Sequence, residues 1–181
     1  MLLIAATLID AAAAPVFGVA GLAAQMAWPL LRTRETMLAA QLAASCSYAT
    51  SYALMGQTTA TAVCLTGGIQ TTVALIAGNR PWLSRTSYVF LPVVLTIGAA
   101  TWSGLPTIFA VTACCLIMIG RMQIDTLRMR GVQLGASPFG AAHDAFVGAW
   151  PCLAGAIVSF AIAFAAFRRE LRSRRRDARP A

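Results

Sequence analysis

The sequence predicts an all-α membrane protein with seven transmembrane helices, and three observations lead to this fold class. Of the 181 residues, 59% are hydrophobic and 11% are charged, whereas soluble domains average about 45–50% and about 25%. Apolar runs follow one another with short polar breaks, and one membrane span needs about 20 apolar residues. The basic residues, all of them arginine, fall in alternate breaks. The chain therefore has no length left for a soluble catalytic domain.

The apolar runs give seven predicted spans, each bounded by arginine or by a tight turn. Loops with arginine follow the first, third and fifth spans, and turns at Gly56–Gln57 and Ser103–Gly104 follow the second and fourth. The predicted spans are Leu8–Leu31, Thr36–Met55, Thr58–Ala77, Thr86–Trp102, Leu105–Gly120, Gly131–Trp150 and Pro151–Phe167.

The positions of the arginines predict the topology. All fourteen lie after the odd-numbered spans, which puts them on one side of the membrane, and the positive-inside rule makes that side cytoplasmic. We expect a multi-pass protein of the bacterial inner membrane with its N-terminus outside and its C-terminus in the cytoplasm. The same pattern supports the polar sixth span, because six spans would leave the Arg-rich C-terminus outside. That span should face protein or water rather than lipid.

A weak internal repeat divides the chain. A shift of 92 residues aligns 25–77 with 117–169, with eleven identities in 53 positions, among them Gln41 with Gln133 and Ser45 with Ser137. The fourth span has no counterpart, so the arrangement is three plus one plus three, and an odd linker span makes the two halves parallel. The predicted division is a first three-helix bundle at 1–85, a linker transmembrane helix at 86–104, a second three-helix bundle at 105–167 and a basic cytoplasmic tail at 168–181.

The pattern resembles the SWEET and PQ-loop superfamily and, more closely, the YgjV-type family of small bacterial inner-membrane proteins. In that family a His is followed five positions later by glycine in both halves. Here His143 precedes Gly148 in the second half and is followed by Asp144, while Ser51 replaces the first-half His and precedes Gly56. The segments that carry the resemblance are Ser51-Tyr52-Ala53-Leu54-Met55-Gly56, Gly68-Ile69-Gln70-Thr71 and Ala142-His143-Asp144-Ala145-Phe146-Val147-Gly148. The resemblance implies two three-helix bundles joined by a linker helix, while the Pro-Gln dipeptide of PQ-loop proteins is absent.

Polar residues inside the spans form the candidate solute site. In the second span they recur at helical spacing, and two of their repeat equivalents in the sixth span are again Gln and Ser. The predicted substrate-binding residues are Gln41, Ser45, Tyr52, Gln70, Gln133, Ser137, His143 and Asp144. Two alternatives stay open: the Ser and Gln side chains could bond helices together, at about 0.6 kcal/mol each, and the His–Asp pair could face water at the membrane surface.

These observations favour a small-solute carrier that works by alternating access between the bundles. The alternative is a non-transporting scaffold or accessory subunit whose tail binds a protein partner or anionic lipid headgroups. The tail residues concerned are Arg168, Arg169, Arg172, Arg174, Arg175 and Arg176. The chain shows no enzyme motif and no metal-ligand spacing among its five cysteines, so we expect neither an enzyme nor a metal or cofactor. We expect lipid contact and no nucleic acid, and a homo-oligomer is compatible with the sequence.

Overall fold

Helices make up the whole regular structure of the described part of the chain. The computed structural model describes residues 2–148 and 150–177, and it shows no strand within them. Two short 3-10 turns lie at Trp28–Leu30 and Thr86–Val89. The helices are α1 Leu2–Ala27, α2 Arg34–Leu54, α3 Thr58–Ala77, α4 Pro81–Arg85, α5 Phe90–Ala100, α6 Leu105–Met122, α7 Thr126–Phe146 and α8 Trp150–Asp177. The all-α prediction is confirmed.

The bounds of the sixth predicted span were wrong by four to five residues at each end. The helix begins at Thr126 instead of Gly131, because the Asp125 side chain accepts a hydrogen bond from the Arg128 backbone N–H at 2.8 Å and caps the first turn. It ends at Phe146, before Gly148, whose φ of +71° is readily adopted only by glycine. Trp150 therefore starts α8 and does not end α7.

The helix bounds repeat along the chain with the same 92-residue shift that aligns the sequence. Helices α2 and α7 have 21 residues each, and both start and end 92 positions apart. Helices α3 and α8 also start 92 positions apart. The turns between these helices match as well, since Gly56 and Gly148 have φ values of +70° and +71°. The N-caps are also equivalent, because Thr33 caps α2 as Asp125 caps α7.

Helices α2 and α7 each pack between two neighbours, and the two groups meet reciprocally. α2 packs against α1 and α3, while α7 packs against α6 and α8. Between the groups, α3 contacts α6 and α1 contacts α8. The 92-residue shift relates α1 to α6 and α3 to α8, so each of these two contacts is the repeat equivalent of the other. Such reciprocity is the property of an interface around a two-fold axis. The first half below means α1–α3 and the second half α6–α8; α5 packs against α3 and α6.

Several polar side chains lie inside this helical array beside an apolar core that includes Trp28, Met37, Leu38 and Met129, and many large apolar side chains lie outside. The buried residues include three arginines and three glutamines. Large apolar residues such as Val16, Val19 and Ile76 are at least two-thirds exposed, which is typical of a surface covered by lipid rather than by water. By length and composition, three helical segments among the described residues are able to cross a membrane: Ala13–Leu30, Ala60–Ala77 and Leu105–Met122.

Candidate functional site

Two glutamines from equivalent positions meet between the halves. Gln41 on α2 and Gln133 on α7 are 2% and 5% exposed. Gln41 Nε2 donates to Gln133 Oε1 at 2.9 Å, and Gln133 Nε2 donates back to Gln41 Oε1 at 3.3 Å. Because one residue is the repeat equivalent of the other, this reciprocal amide pair lies on the axis that relates the two halves.

The guanidinium of Arg121 joins this pair to α3. Arg121, near the end of α6, is 8% exposed. Its Nε donates to Gln41 Oε1 at 2.8 Å, and its Nη1 donates to the Gly67 carbonyl at 3.0 Å and to Gln70 Oε1 at 3.5 Å. Gln70 Nε2 in turn donates to the carbonyl of Met118 at 3.1 Å. Each of these bonds connects the first half with the second.

Two glycines allow the polar side chains to come this close. A Cβ at Gly120 would lie 2.6 Å from Gln133 Cγ, and a Cβ at Gly67 would lie 3.3 Å from Arg121 Nη1. The first distance is a steric overlap, so any larger residue at 120 would push Gln133 out of the pair. The cluster of Arg121, Gln41, Gln70 and Gln133 is therefore closely packed, and we call it the amide cluster.

Arg121 carries a charge that the amide cluster does not balance. Its acceptors are two amide oxygens and one backbone carbonyl, all of them neutral. The ion pairs within residues 2–148 and 150–177 belong to Arg130 and Arg174. Burying a cation with neutral partners alone is costly.

A second buried arginine, Arg34 at the start of α2, ties the first half to the end of α6. Its Nε donates to the carbonyl of Gln123 at 2.9 Å, and its Nη2 donates to that of Arg121 at 3.1 Å. Its Nη1 donates to the carbonyls of Ala74 and Gly78 at the end of α3. Carbonyls at the C-terminal ends of helices carry partial negative charge, so the Arg34 cation is well compensated.

The third buried arginine, Arg130 on α7, makes the matching contact in the opposite direction. Its guanidinium donates to the carbonyls of Pro29 and Leu31, in and directly after the 3-10 turn that follows α1. Under the 92-residue shift, Pro29 and Leu31 correspond to Arg121 and Gln123, whose carbonyls accept hydrogen bonds from Arg34. Arg130 Nε also pairs with Glu170 Oε2 at 3.0 Å, and Glu170 is the repeat equivalent of Gly78. Each half thus holds the helix end of the other through an arginine.

The predicted site residue His143 makes a contact that is repeated in the first half. His143 Nδ1 lies 3.0 Å from the carbonyl of Pro106, so Nδ1 carries the proton and donates. Ser51, its repeat equivalent, donates from Oγ to the carbonyl of Ala14 at 2.7 Å, and Ala14 is the equivalent of Pro106. Both bonds join neighbouring helices inside one half. At 1.5 Å per residue, His143 lies about 15 Å along α7 from Gln133.

The structure brings only part of the predicted solute site together. Gln41, Gln70 and Gln133 meet in the amide cluster, and Ser45 lies beside it against Gly67 and Gly68. Ser137 and His143 make other contacts. Ser137 Oγ bonds back to the Gln133 carbonyl at 3.3 Å, Tyr52 stacks on Tyr48 with ring centroids 6.4 Å apart, and Asp144 is half-buried on the last turn of α7.

Sequence reasoning missed the three buried arginines, because it assigned every arginine to a cytoplasmic loop or the tail. One signal was available for Arg130: Asp125 is a good N-cap residue, and a helix starting directly after it places Arg130 inside. Arg121 sits one residue beyond the predicted end of its span, so a helix extended by one residue would have included it. Nothing in the sequence pattern pointed to Arg34 as buried.

The arginine end of the molecule also carries an open cavity of about 750 Å³. Arg174 crosses its edge from α8 and pairs with Asp125 at 2.6 Å and with Glu170 at 2.8 Å. Burial raises the pKa of Asp125, but hydrogen bonds from the Arg128 backbone and from Arg174 outweigh burial, so the pKa lies below its ordinary value. The residues that line the cavity include Arg85, Tyr88, Gln123, Asp125, Thr126, Arg128 and Arg174.

The predicted tail residues continue α8 as a helix to Asp177. Most of their side chains are exposed, and the Arg168 guanidinium lies over the Phe164 ring, 5.6 Å from its centroid. Arg174 differs from the others because it takes part in the ion pairs at the cavity edge. Within the described ranges, no group of three His, Cys, Asp or Glu side chains is placed to hold a metal ion.

Comparison with known proteins gives one match. A family model described as Imp-YgjV, bacterial inner membrane protein, matches residues 12–174. No curated protein and no solved structure matches the chain.

Proposed function

We propose, since the chain belongs to the Imp-YgjV family of bacterial inner membrane proteins, that α1, α2, α3, α6, α7 and α8 cross the membrane together with a shorter span made of the 3-10 turn Thr86–Val89 and α5. The two halves are then parallel three-helix bundles and α5 is the linker span between them. The repeated helix bounds and the reciprocal arginine contacts support this arrangement. The buried arginines cluster at one end together with Arg174 and the tail, and the positive-inside rule makes that end cytoplasmic.

The proposed function is transport of a small polar solute by alternating access between the two bundles. The observation that carries it is the amide cluster, in which polar side chains of both halves converge on the axis between them. In carriers built from structural repeats, the solute site lies near the midplane at the interface of the repeats. A polar group costs too much in lipid to be placed there without a partner, and the partner here belongs to the other half.

The contacts at the two ends differ in a way that suits a carrier closed toward the cytoplasm. At the arginine end, Arg34 and Arg130 bond across the halves. At the other end, the bonds of Ser51 and His143 each stay inside one half. Opening the carrier at the end opposite the arginines therefore breaks fewer hydrogen bonds between the halves than opening it at the arginine end. In the described conformation the glutamines are excluded from solvent, as in an occluded carrier.

A ligand panel tests the proposal. The purified protein is unfolded thermally with sugars, amino acids, short carboxylates and nucleosides, for wild type and for Gln133→Ala. Because bound ligand stabilises the folded state, about 20 Kd of a true solute should raise Tm by roughly 4 °C. We expect one class to do so in wild type and not in Gln133→Ala. Thr96→Ala, whose hydroxyl bonds only within its own helix, is the control. A response that Gln133→Ala retains, or no response to any class, contradicts the proposal.

The alternative proposal is a scaffold that binds anionic lipid or a protein partner through its tail. It is favoured by one observation: the exposed arginines at 168, 169, 172, 175 and 176 continue as a helix beyond the apolar part of α8. Each arginine near an anionic membrane surface contributes about 1 kcal/mol of binding. A variant in which these five arginines are glutamine, and which keeps Glu170 and Arg174, should then lose its co-purifying partner or lipid and keep its response to solutes. If the protein is a carrier, the response to solutes is lost in Gln133→Ala and not in the tail variant.

A further inference from the structure

The charge on Arg121 distinguishes it from the two other buried arginines. Arg34 meets four carbonyls, most of them at helix C-termini, and Arg130 meets two carbonyls and the Glu170 carboxylate. Arg121 meets two side-chain amides and one mid-helix carbonyl. Hydrogen bonds between a cation and an anion are roughly twice as strong as those between neutral groups. Arg121 is thus the buried arginine that would gain most from an anion.

Arg121 can also exchange its present hydrogen-bond acceptors for those of a ligand. Its acceptors Gln41, Gly67 and Gln70 belong to the first half, while Arg121 belongs to the second. Separation of the halves removes all three acceptors at once and leaves the guanidinium in the cleft. The same movement frees the amide N–H groups of Gln41 and Gln133, which in the closed state donate to each other. An arriving ligand would then find one cation and several neutral donors.

We propose that Arg121 binds the carboxylate of a small monocarboxylate and that this class of anion is the solute of the carrier. The inference rests on the proposed function. A planar carboxylate matches the fork of a guanidinium, which can donate two parallel hydrogen bonds to it. One uncompensated cation balances one negative charge, and Arg34 and Arg130 are occupied by their own acceptors. The amide oxygens of Gln41 and Gln70 take the place of the carboxylate oxygens in the closed, ligand-free state.

Pairs of small molecules that have the same shape and differ in charge test directly whether binding requires a negative charge on the ligand. Lactate is compared with lactamide and acetate with acetamide, each at about 200 mM, and sodium chloride at equal ionic strength is the reference. We expect both carboxylates to raise the Tm of wild type by roughly 4 °C over sodium chloride, for a Kd of about 10 mM. Both amides should leave Tm unchanged. This comparison needs no variant, so it stands even if a substitution prevents folding.

Three variants then assign the effect to the residue. Arg121→Gln should lose the carboxylate shift, and Arg121→Lys should keep a reduced one, since lysine retains the charge and lacks the fork. Arg172→Gln removes the same charge from the exposed tail and should respond as wild type does. An equal response to amides, or a carboxylate shift that survives in Arg121→Gln, overturns the anion assignment. If a neutral class in the panel stabilises the protein instead, only this inference fails; if no class does, the carrier proposal fails with it.

Discussion

The side-chain amides of Gln41 and Gln133 pair with each other, with Nε2 to Oε1 distances of 2.9 and 3.3 Å. They occupy equivalent turns of α2 and α7, 92 residues apart. A residue that bonds to its own repeat equivalent must lie on the axis between the repeats. The contact therefore locates the axis between the two halves, and the three buried arginines lie toward one end of it.

The first prediction concerns the strength of this pair. In a double-mutant cycle, Gln41→Met and Gln133→Met should show a coupling of about 1 kcal/mol, because hydrogen bonds between membrane helices are worth about 0.6 kcal/mol and up to about 1.7 kcal/mol. Unfolding of the protein in mixed micelles measures it. Thr66→Val and Thr96→Val, whose hydroxyls bond within their own helices, should be additive. A coupling near zero for the glutamines would show that they do not pair.

The second prediction separates the compensated arginine from the uncompensated one. Arg34→Met leaves four carbonyls without their donor and should lower the free energy of unfolding by about 3 kcal/mol or more. Arg121→Met removes an unbalanced buried charge and should change it by no more than about 1 kcal/mol. Chemical denaturation of both variants provides the measurement. Equal losses would mean that Arg121 is also a structural residue.

The third prediction concerns the matched contacts of Ser51 and His143. Ser51→Ala and His143→Ala should each lower the free energy of unfolding by about 1 kcal/mol, the usual value of one hydrogen bond. His143→Ser should lose less than His143→Ala, because serine makes this contact in the first half. Thermal unfolding of the three variants tests this. Loss of the solute response without loss of stability in His143→Ala would instead favour a binding role for His143.

The fourth prediction uses two glycines in helices. Gly120→Ala should lower the free energy of unfolding by about 1–3 kcal/mol, because the new Cβ would overlap Gln133 Cγ at 2.6 Å. Gly135→Ala meets no atom within 4 Å and should leave stability unchanged or raise it by about 0.5–1 kcal/mol, since alanine favours a helix. Equal effects of the two substitutions would contradict the close packing of the amide cluster.

The fifth prediction concerns pH and the ion pair at the cavity edge. Because the pKa of Asp125 is lowered in the folded protein, its charge stabilises the fold above the unfolded pKa of about 3.9 and stops doing so as pH falls through the folded value. Asp125→Asn keeps a good N-cap and loses the pair with Arg174. Its Tm should lie below that of wild type at about pH 6 and approach it below about pH 3. A difference in Tm that is independent of pH would exclude the ion pair as its cause.

The sequence predicted the helices well because apolar run length and turn residues are local signals. Helices α2, α3 and α6 lie within two residues of their predicted bounds at both ends. Helix α1 begins six residues before its predicted start and α8 continues ten residues beyond its predicted end, because hydropathy alone does not mark where a helix stops, and the bounds of α7 depend on the capping by Asp125. The repeat alignment also predicted that Gln41 and Gln133 are equivalent. It could not predict that they touch, since contact depends on how the halves pack. The burial of Arg34 was out of reach for the same reason, because its acceptors are backbone carbonyls far away in the chain. Arg121 and Arg130 could have been placed inside helices from the sequence, but their acceptors could not.

Alternating access requires that the space between the halves be reached from both sides of the membrane, and a single cysteine measures this directly. Ser45 is buried beside Gly67 and Gly68, so Ser45→Cys is placed in a chain whose five native cysteines are alanine. Met55→Cys and Ser173→Cys mark the outer and inner ends. A membrane-impermeant maleimide is added to right-side-out and to inverted vesicles. We expect labelling of position 45 from both sides, of position 55 only in right-side-out vesicles and of position 173 only in inverted ones. Labelling of position 45 from one side only, or from neither, would contradict alternating access.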